Sequence, residues 1–173
     1  MTDVSEATFE TEVVARSEEL PVVVDFWAEW CGPCRVLTPV LEREVAAREG
    51  QVVLAKVDVD ANPGLAERFG VRGIPAVKAF KRGHVVREFV GAVPPQAVSE
   101  FLDALAAPSE ADALLEEGED YEEVLERLLA ETSGADTERR EEIRRQMLAI
   151  FEELGPEHPV TVRYRRRLAT ALY

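Results

Sequence analysis

Sulfur and imidazole are scarce in this chain: its 173 residues include two cysteines, two methionines and two histidines. Two cysteines build no disulfide framework, and in a reducing compartment a lone Cys-x-x-Cys reads as a redox or metal motif rather than a staple. No apolar run approaches the ~20 residues that a membrane helix needs. The first residues, Met1 to Glu6, are acidic and polar and lack the basic-plus-apolar pattern of a secretory signal, so a cytoplasmic location is expected. Basic residues are also the minority, 20 against 34 acidic, for a formal net charge of −14. That balance argues against nucleic acid or an anionic membrane as a partner, because both would be repelled. What is present is 46% hydrophobic residues, enough for a packed core. The length is large for one small domain and short for two ordinary ones, so a domain with an appendage is expected.

The two cysteines fall in Trp30-Cys31-Gly32-Pro33-Cys34, between the apolar run Val22-Val23-Val24-Asp25-Phe26-Trp27 and a helical pattern. Two intervening residues followed by helix place both sulfurs at the first turn, close enough to bond or to share a proton. Free N–H groups and the helix dipole there favour negative charge on Cys31, which makes it the expected nucleophile. Cys34, a turn deeper, is the expected resolving thiol. Pro33 suits a first helical turn, and Gly32 leaves the sulfur open to another polypeptide. Zinc is the rival reading, but it needs two further ligands. Only His84 and His158 remain, each beside a turn, and both read as solvated surface residues.

Along the chain, Thr8 to Ser17 has helical spacing at Phe9, Val13 and Val14, with Thr8 as a cap. Pro21 opens a central strand through Trp27 whose apolar character implies cover on both faces. The cysteine helix should run on to Gly50, kinked by Pro39. Gln51 to Asp58 is a second buried strand with Lys56 in its middle, a charge that needs a partner. Asn62-Pro63-Gly64 opens a short helix that ends at Gly70. Ala76 to Lys81 and His84 to Val90 form a hairpin around Arg82-Gly83, and Pro94-Pro95 starts a helix bearing Val98, Phe101, Leu102 and Leu105. This order predicts an α/β fold, a mixed central sheet between helices.

Val24 through Cys34, with Gly73-Ile74-Pro75 and Val90-Gly91, resembles thioredoxin, and the resemblance runs from about Val4 to Ala106. It implies the thioredoxin fold and thiol–disulfide exchange with no cofactor beyond the Cys31–Cys34 pair. It also implies protein disulfides as substrates and an electron donor of the thioredoxin-reductase type. Asp25, the one charge in its strand, is the expected acceptor of the Cys34 proton, with a pKa raised by burial. Lys56 becomes its partner on the neighbouring strand. The resemblance further implies a cis Ile74–Pro75 bond and a flat apolar rim for substrate made of Trp30, Gly32, Pro33, Ile74, Pro75, Val90 and Gly91.

Pro108 marks a change of character, giving expected domains 1–107 and 108–173. Beyond it only helix signals appear: Ser109 to Leu115 broken by Gly118, then Tyr121 to Leu129, then Thr137 to Leu154, and a fourth helix opened by Pro159. The expected apolar stripes include Leu148 on the third and Val160, Val162, Tyr164, Leu168, Ala169, Leu172 and Tyr173 on the fourth. Glu116-Glu117 and Glu122-Glu123 read as solvated helix faces. Arg163, Arg165, Arg166 and Arg167 read as intramolecular pairs and dipole compensation. Two helical hairpins suggest tetratricopeptide-like units. Pro108 to Asp112 and Met147 to Pro159, with Tyr164 to Ala169, are similar to the tail of bacterial thioredoxin-like co-chaperones of the CnoX/YbbN type. That resemblance implies a redox co-chaperone able to hold unfolding clients and to pass them to a GroEL-type chaperonin. The alternatives are a holdase with secondary redox activity, or a tail that only caps the domain or makes a homodimer.

Overall fold

The computed structural model describes residues 2–115, 119–156 and 158–172. The chain forms two compact units, Met1–Ala107 and Pro108–Tyr173.

The first unit is built on a five-stranded sheet in the order β1-β3-β2-β4-β5. Its strands are β1 (Thr2–Asp3), β2 (Val22–Trp27), β3 (Val53–Asp58), β4 (Ala76–Lys81) and β5 (His84–Val90). β1 and β2 pair parallel with β3, whereas β4 runs antiparallel to both β2 and β5. The two-residue edge strand β1 has no signal in the sequence pattern; it forms because Thr2 and Asp3 lie alongside Ala55 and Lys56. The helices are α1 (Gly32–Ala46), α2 (Pro63–Arg68) and α3 (Pro95–Ala106).

The side-chain alternation of β2 sorts the core into two layers. Val22, Val24 and Phe26 pack with Phe9, Val13, Leu65 and Phe80 on one face, and Val23 packs with Leu37, Leu41, Val77, Val98 and Leu102 on the other. Asp25 and Trp27 share the parity of Val23, so they face the side on which α1 lies. That parity is what brings a carboxylate under the cysteine helix.

Three local expectations differ from the structure. Residues 10–15 are a π-helix and residues 16–18 a 3₁₀ turn, where the spacing predicts an α-helix. Thr8 does not cap it: its hydroxyl accepts from the Ser5 N–H at 3.1 Å. Docking overrides helical regularity here, because Phe9 and Val13 are buried while the Ser17 carbonyl and hydroxyl accept the Arg82 and Gly83 N–H groups. α1 ends at Ala46, short of Gly50, because both Glu49 and Gly50 take positive φ. The 82–83 turn has positive φ at both residues, as a two-residue hairpin with matched twist requires.

The second unit holds α4 (Tyr121–Thr132), α5 (Thr137–Leu154) and α6 (Pro159–Leu172). One core joins them, formed by Tyr121, Val124, Leu125 and Leu128, by Ile143, Met147, Ile150, Phe151 and Leu154, and by Tyr164 and Leu168. Asp120 caps α4 in a reciprocal box with Glu123, and Asp136 caps α5 by accepting from the Arg139 N–H.

Where a helix is expected over Ser109 to Leu115, the described residues form a 3₁₀ turn, Asp112–Leu114. Ser109 and Asp112 do bond reciprocally, but the Tyr121 hydroxyl also donates to Asp112, and Leu115 leaves helical geometry at ψ 130°. So short a turn does not offset the nucleation cost of a helix, and among the described residues the tail holds three α-helices, α4 to α6. The expectations for Glu116, Glu117, Gly118, Tyr173 and the side chain of Leu172 lie outside the described residues.

Leu148, Val162 and Ala169 point outward, whereas Thr161 is buried in the α6 stripe. Glu122 and Glu123 are engaged and not merely solvated: Glu122 pairs with Arg163 at 2.5 Å, and Glu123 closes the cap. Arg167 pairs with Glu126, and Arg165 lies over the Phe151 ring at 5.8 Å. His84 and His158 are half-buried, not solvated.

Candidate active site

The site grows from the β2–α1 junction. Cys31 is the N-cap of α1 in extended conformation, Pro33 occupies the first turn, and Cys34 follows inside the helix. A disulfide joins the two sulfurs, with 5.3 Å between their Cα atoms. The Cys34 N–H points back at Cys31 Sγ from 3.2 Å, so an unsatisfied helix-start donor is aimed at the outer sulfur.

One expectation needs correction: Gly32 does not leave the outer sulfur widely open. Cys31 is only 2% exposed and Cys34 1%, packed with Ala28 and flanked by Trp27, Val59 and Ile74. The sulfurs differ in their donors more than in their depth.

Asp25 is fully buried on β2. Its Oδ2 accepts a 2.7 Å hydrogen bond from Thr38 Oγ1, while Oδ1 has no hydrogen-bond partner among the described residues. Burial pushes the carboxyl pKa above its ordinary value, more than the Thr38 hydrogen bond and the Lys56 charge bring it down, and Glu42 adds to the rise.

Lys56 lies directly across from Asp25 in the β2–β3 register. It does not form the expected direct pair. Its Nζ sits 4.6 Å from the centroid of the Trp27 ring, and it acts on the carboxylate through space. Two neighbouring strand residues share a face, but a long side chain chooses its own tip position, and here the indole face takes the ammonium.

Around the disulfide, Trp30 is 67% exposed and Val90 65%, while Gly32 is open and Pro33 exposed. The Ile74–Pro75 bond is cis. Pro75 is buried, and its carbonyl accepts from the Gly91 N–H at 2.7 Å, with Gly91 at φ 91°. Beside Trp30 lies a groove of about 290 Å³ whose lining includes Val59, Pro63, Val71, Arg72 and Ile74.

Sequence reasoning missed three residues here. Thr38 was findable, since it stands four positions after Cys34 on one helix face, a polar residue in an apolar stripe. Val36 is a 67% exposed valine in the second turn of α1, an anomaly that only exposure reveals. Asp60, which accepts from Trp30 Nε1 at 2.8 Å, depends on a loop path that no spacing rule gives. Among the described residues, no group of three or more His, Cys, Asp or Glu is placed to hold a metal ion.

A reversible dithiol at a helix N-terminus, over a buried carboxylate on a mixed sheet, defines a thiol–disulfide oxidoreductase. Residues 1–104 match the family model described as Thioredoxin, and residues 96–173 match one described as Tetratricopeptide repeat. "Thioredoxin 1" of Nostoc sp. is 43% identical over 100 residues, which cover 58% of this chain and 92% of the relative. "Thioredoxin 1" of Synechococcus elongatus is 45% identical over the same coverage. "Thioredoxin" of Rhodospirillum rubrum is 43% identical over 104 residues, 60% of this chain and 98% of the relative. The chain belongs to the thioredoxin family, with a disulfide reductase site of that type and a tetratricopeptide-like C-terminal region.

Proposed function

We propose that residues 1–107 form a protein-disulfide reductase domain in which Cys31 attacks and Cys34 resolves. The observation that carries this is the Cys31–Cys34 disulfide at the start of α1, with the Cys34 N–H on Cys31 Sγ. In the reduced protein the Cys31 thiolate attacks a substrate disulfide; one substrate thiolate leaves and a mixed disulfide forms. Cys34 gives its proton to Asp25 Oδ1 and attacks Cys31 Sγ, which expels the second substrate thiolate and restores the internal disulfide. Two electrons from a donor of the thioredoxin-reductase type return the pair to dithiol.

Lys56 tunes Asp25 through space. Trp30, Gly32, Pro33, Ile74, Pro75, Val90 and Gly91 form the rim that receives the polypeptide, and no cofactor takes part. Residues 108–173 form a helical domain that makes the protein a redox co-chaperone in the bacterial cytoplasm, engaging unfolded clients and a GroEL-type chaperonin. A second reading, a holdase with secondary redox activity, draws support from the outward-facing Leu148 and Val162 on α5 and α6.

Insulin reduction separates these readings from aggregation suppression. Cys31→Ser and Cys34→Ser each abolish turnover, and Cys34→Ser accumulates a mixed disulfide on Cys31; turnover by either variant rejects the mechanism. If a Cys31→Ser, Cys34→Ser chain still protects a client, and removal of 108–173 abolishes that protection, the holdase role stands on its own.

A further inference from the structure

Thr38 occupies a position where a helical threonine ordinarily turns its hydroxyl onto the carbonyl four residues back. Here that carbonyl belongs to Cys34, yet the hydroxyl points across to β2 and meets Asp25 Oδ2 at 2.7 Å. An ionised carboxylate only accepts, so the hydroxyl is the donor. The carboxylate is thereby held at one oxygen. Its other oxygen, Oδ1, is buried and has no hydrogen-bond partner among the described residues. A buried acceptor without a partner is costly, and such groups mark places where a proton or a partner arrives in another state.

Thr38 and Cys34 are four residues apart on α1, so one helix face carries both the hydroxyl that fixes the carboxylate and the thiol that must be deprotonated. Resting on the assignment of Asp25 as proton acceptor, we propose that Thr38 is the positioning residue of this dithiol site, holding Asp25 Oδ2 so that Oδ1 alone receives the Cys34 proton. The arrangement survives the transfer: with the proton on Oδ1, Oδ2 still accepts from Thr38. No bond of Thr38 has to break when the proton moves.

The charged groups acting on Asp25 are Lys56 from β3 and Glu42 from α1, and they oppose each other. Thr38 sides with Lys56, because a donor to the ionised form favours it. Loss of the hydroxyl leaves burial less opposed, and Asp25 holds its proton to higher pH.

The test uses the full-length protein with Thr38→Val, Thr38→Ser and Asp25→Asn. Two readouts are followed: carbon NMR titration of the Asp25 carboxyl in the reduced state, and single-turnover release of a mixed disulfide from Cys31 as a function of pH. Thr38→Val is expected to move the Asp25 inflection up by about one pH unit, the worth of one hydrogen bond to a charged group. It should also slow release at pH 7 by about fivefold to tenfold and leave formation of the mixed disulfide unchanged. Thr38→Ser should restore both readouts to within about twofold.

An Asp25 titration unmoved by Thr38→Val overturns the proposal whatever Asp25 does. Release slowed by Asp25→Asn but not by Thr38→Val overturns it while leaving Asp25 as the acceptor. If Asp25→Asn alters neither rate nor pH profile, the acceptor assignment fails and the positioning role fails with it. Thermal unfolding of each variant controls for fold, and the titration reads the carboxyl directly in any variant that remains folded.

Discussion

A buried carboxylate is a liability to the fold, and Asp25, fully buried on β2, allows the size of that liability to be measured. Its pKa is raised on folding from an ordinary value of 3.8, chiefly by burial. The sign follows from linkage: the folded protein binds the proton more tightly than the unfolded chain, so stability falls as pH rises from about 3.8 through the raised value. Asp25→Asn removes the charge and keeps an oxygen for Thr38. It is expected to stabilise the protein at pH 7 by on the order of 1–3 kcal/mol and to flatten this stretch of the stability profile, while turnover falls. Chemical denaturation at pH 4, 6 and 8 checks this, and a variant less stable than the parent at pH 8 contradicts it.

The same residue shows what a sequence reveals. One charge in Val22-Val23-Val24-Asp25-Phe26-Trp27 is conspicuous, and period two puts it on the α1 face. The partner of Lys56 is not legible in the same way, because strand register sets where a side chain starts and packing sets where its tip ends, here on Trp27.

At the scale of elements, α1 and α3 are fastened by Arg48, a single side chain in the turn after α1. It donates to the Ser99 carbonyl and hydroxyl at 2.9 and 3.0 Å and to Asp103 at 2.5 Å, and it also reaches back to the Glu44 carbonyl at 2.6 Å. Its side chain is 10% exposed, so the guanidinium is shielded, although Asp103 is in water at 67%. Arg48→Ala leaves the Ser99 carbonyl without this donor and should cost about 1–2 kcal/mol, with Arg48→Lys recovering less than half, since an ammonium cannot span the same acceptors. Urea denaturation measures both. A loss below the error of the fit for Arg48→Ala shows the contacts to be inert.

In the tail, α6 is held to α4 by Arg163–Glu122, by Arg167–Glu126 and by the Tyr164 hydroxyl on Glu126 at 2.6 Å. Those donors hold the Glu126 carboxyl down at about 2, from an ordinary 4.5. Its contribution is therefore complete above about pH 4.5 and is lost as pH falls toward 2. Helical signal from the tail should decline over that window, earlier in high salt. Glu126→Gln should lower the midpoint at pH 7 and remove this part of the acid dependence.

These contacts also explain where the helix pattern misleads. Helical spacing locates α4, α5 and α6, yet the stretch from Ser109 has caps and leucines and forms only a 3₁₀ turn, because Asp112 serves Tyr121 as well as Ser109. Likewise the apolar character of Val162 predicts an inward position, but Val162 is exposed and Thr161, Tyr164 and Leu168 hold the inner face of α6. Spacing identifies a helix more reliably than it phases one whose apolar and polar residues are interleaved.

For the whole molecule, the relatives supply a natural boundary for experiment. The 100 residues shared with the Nostoc protein are 92% of that relative, which leaves no room in it for a counterpart of 108–173. A chain of the first unit's length therefore suffices for a thioredoxin, and every contact described at the site lies between Asp25 and Gly91. Ending the protein after Ala107 should leave insulin reduction within about twofold of the full chain, because the Cys31 donor and the groups described around Asp25 all belong to the residues that are kept. The same truncation should abolish client protection if the helices hold clients. The net charge of −14 gives a second way to distinguish disulfide reduction from the proposed client protection. Repulsion between anions is screened at high salt, so raising salt from about 20 to about 300 mM should speed reduction of acidic substrates and leave neutral ones unchanged. Protection by an apolar helix face should persist or strengthen under the same conditions, since burial of apolar surface does not weaken with ionic strength. A truncated chain whose reduction rate collapses would mean that the helices serve the dithiol itself, and the division of labour between 1–107 and 108–173 would be wrong.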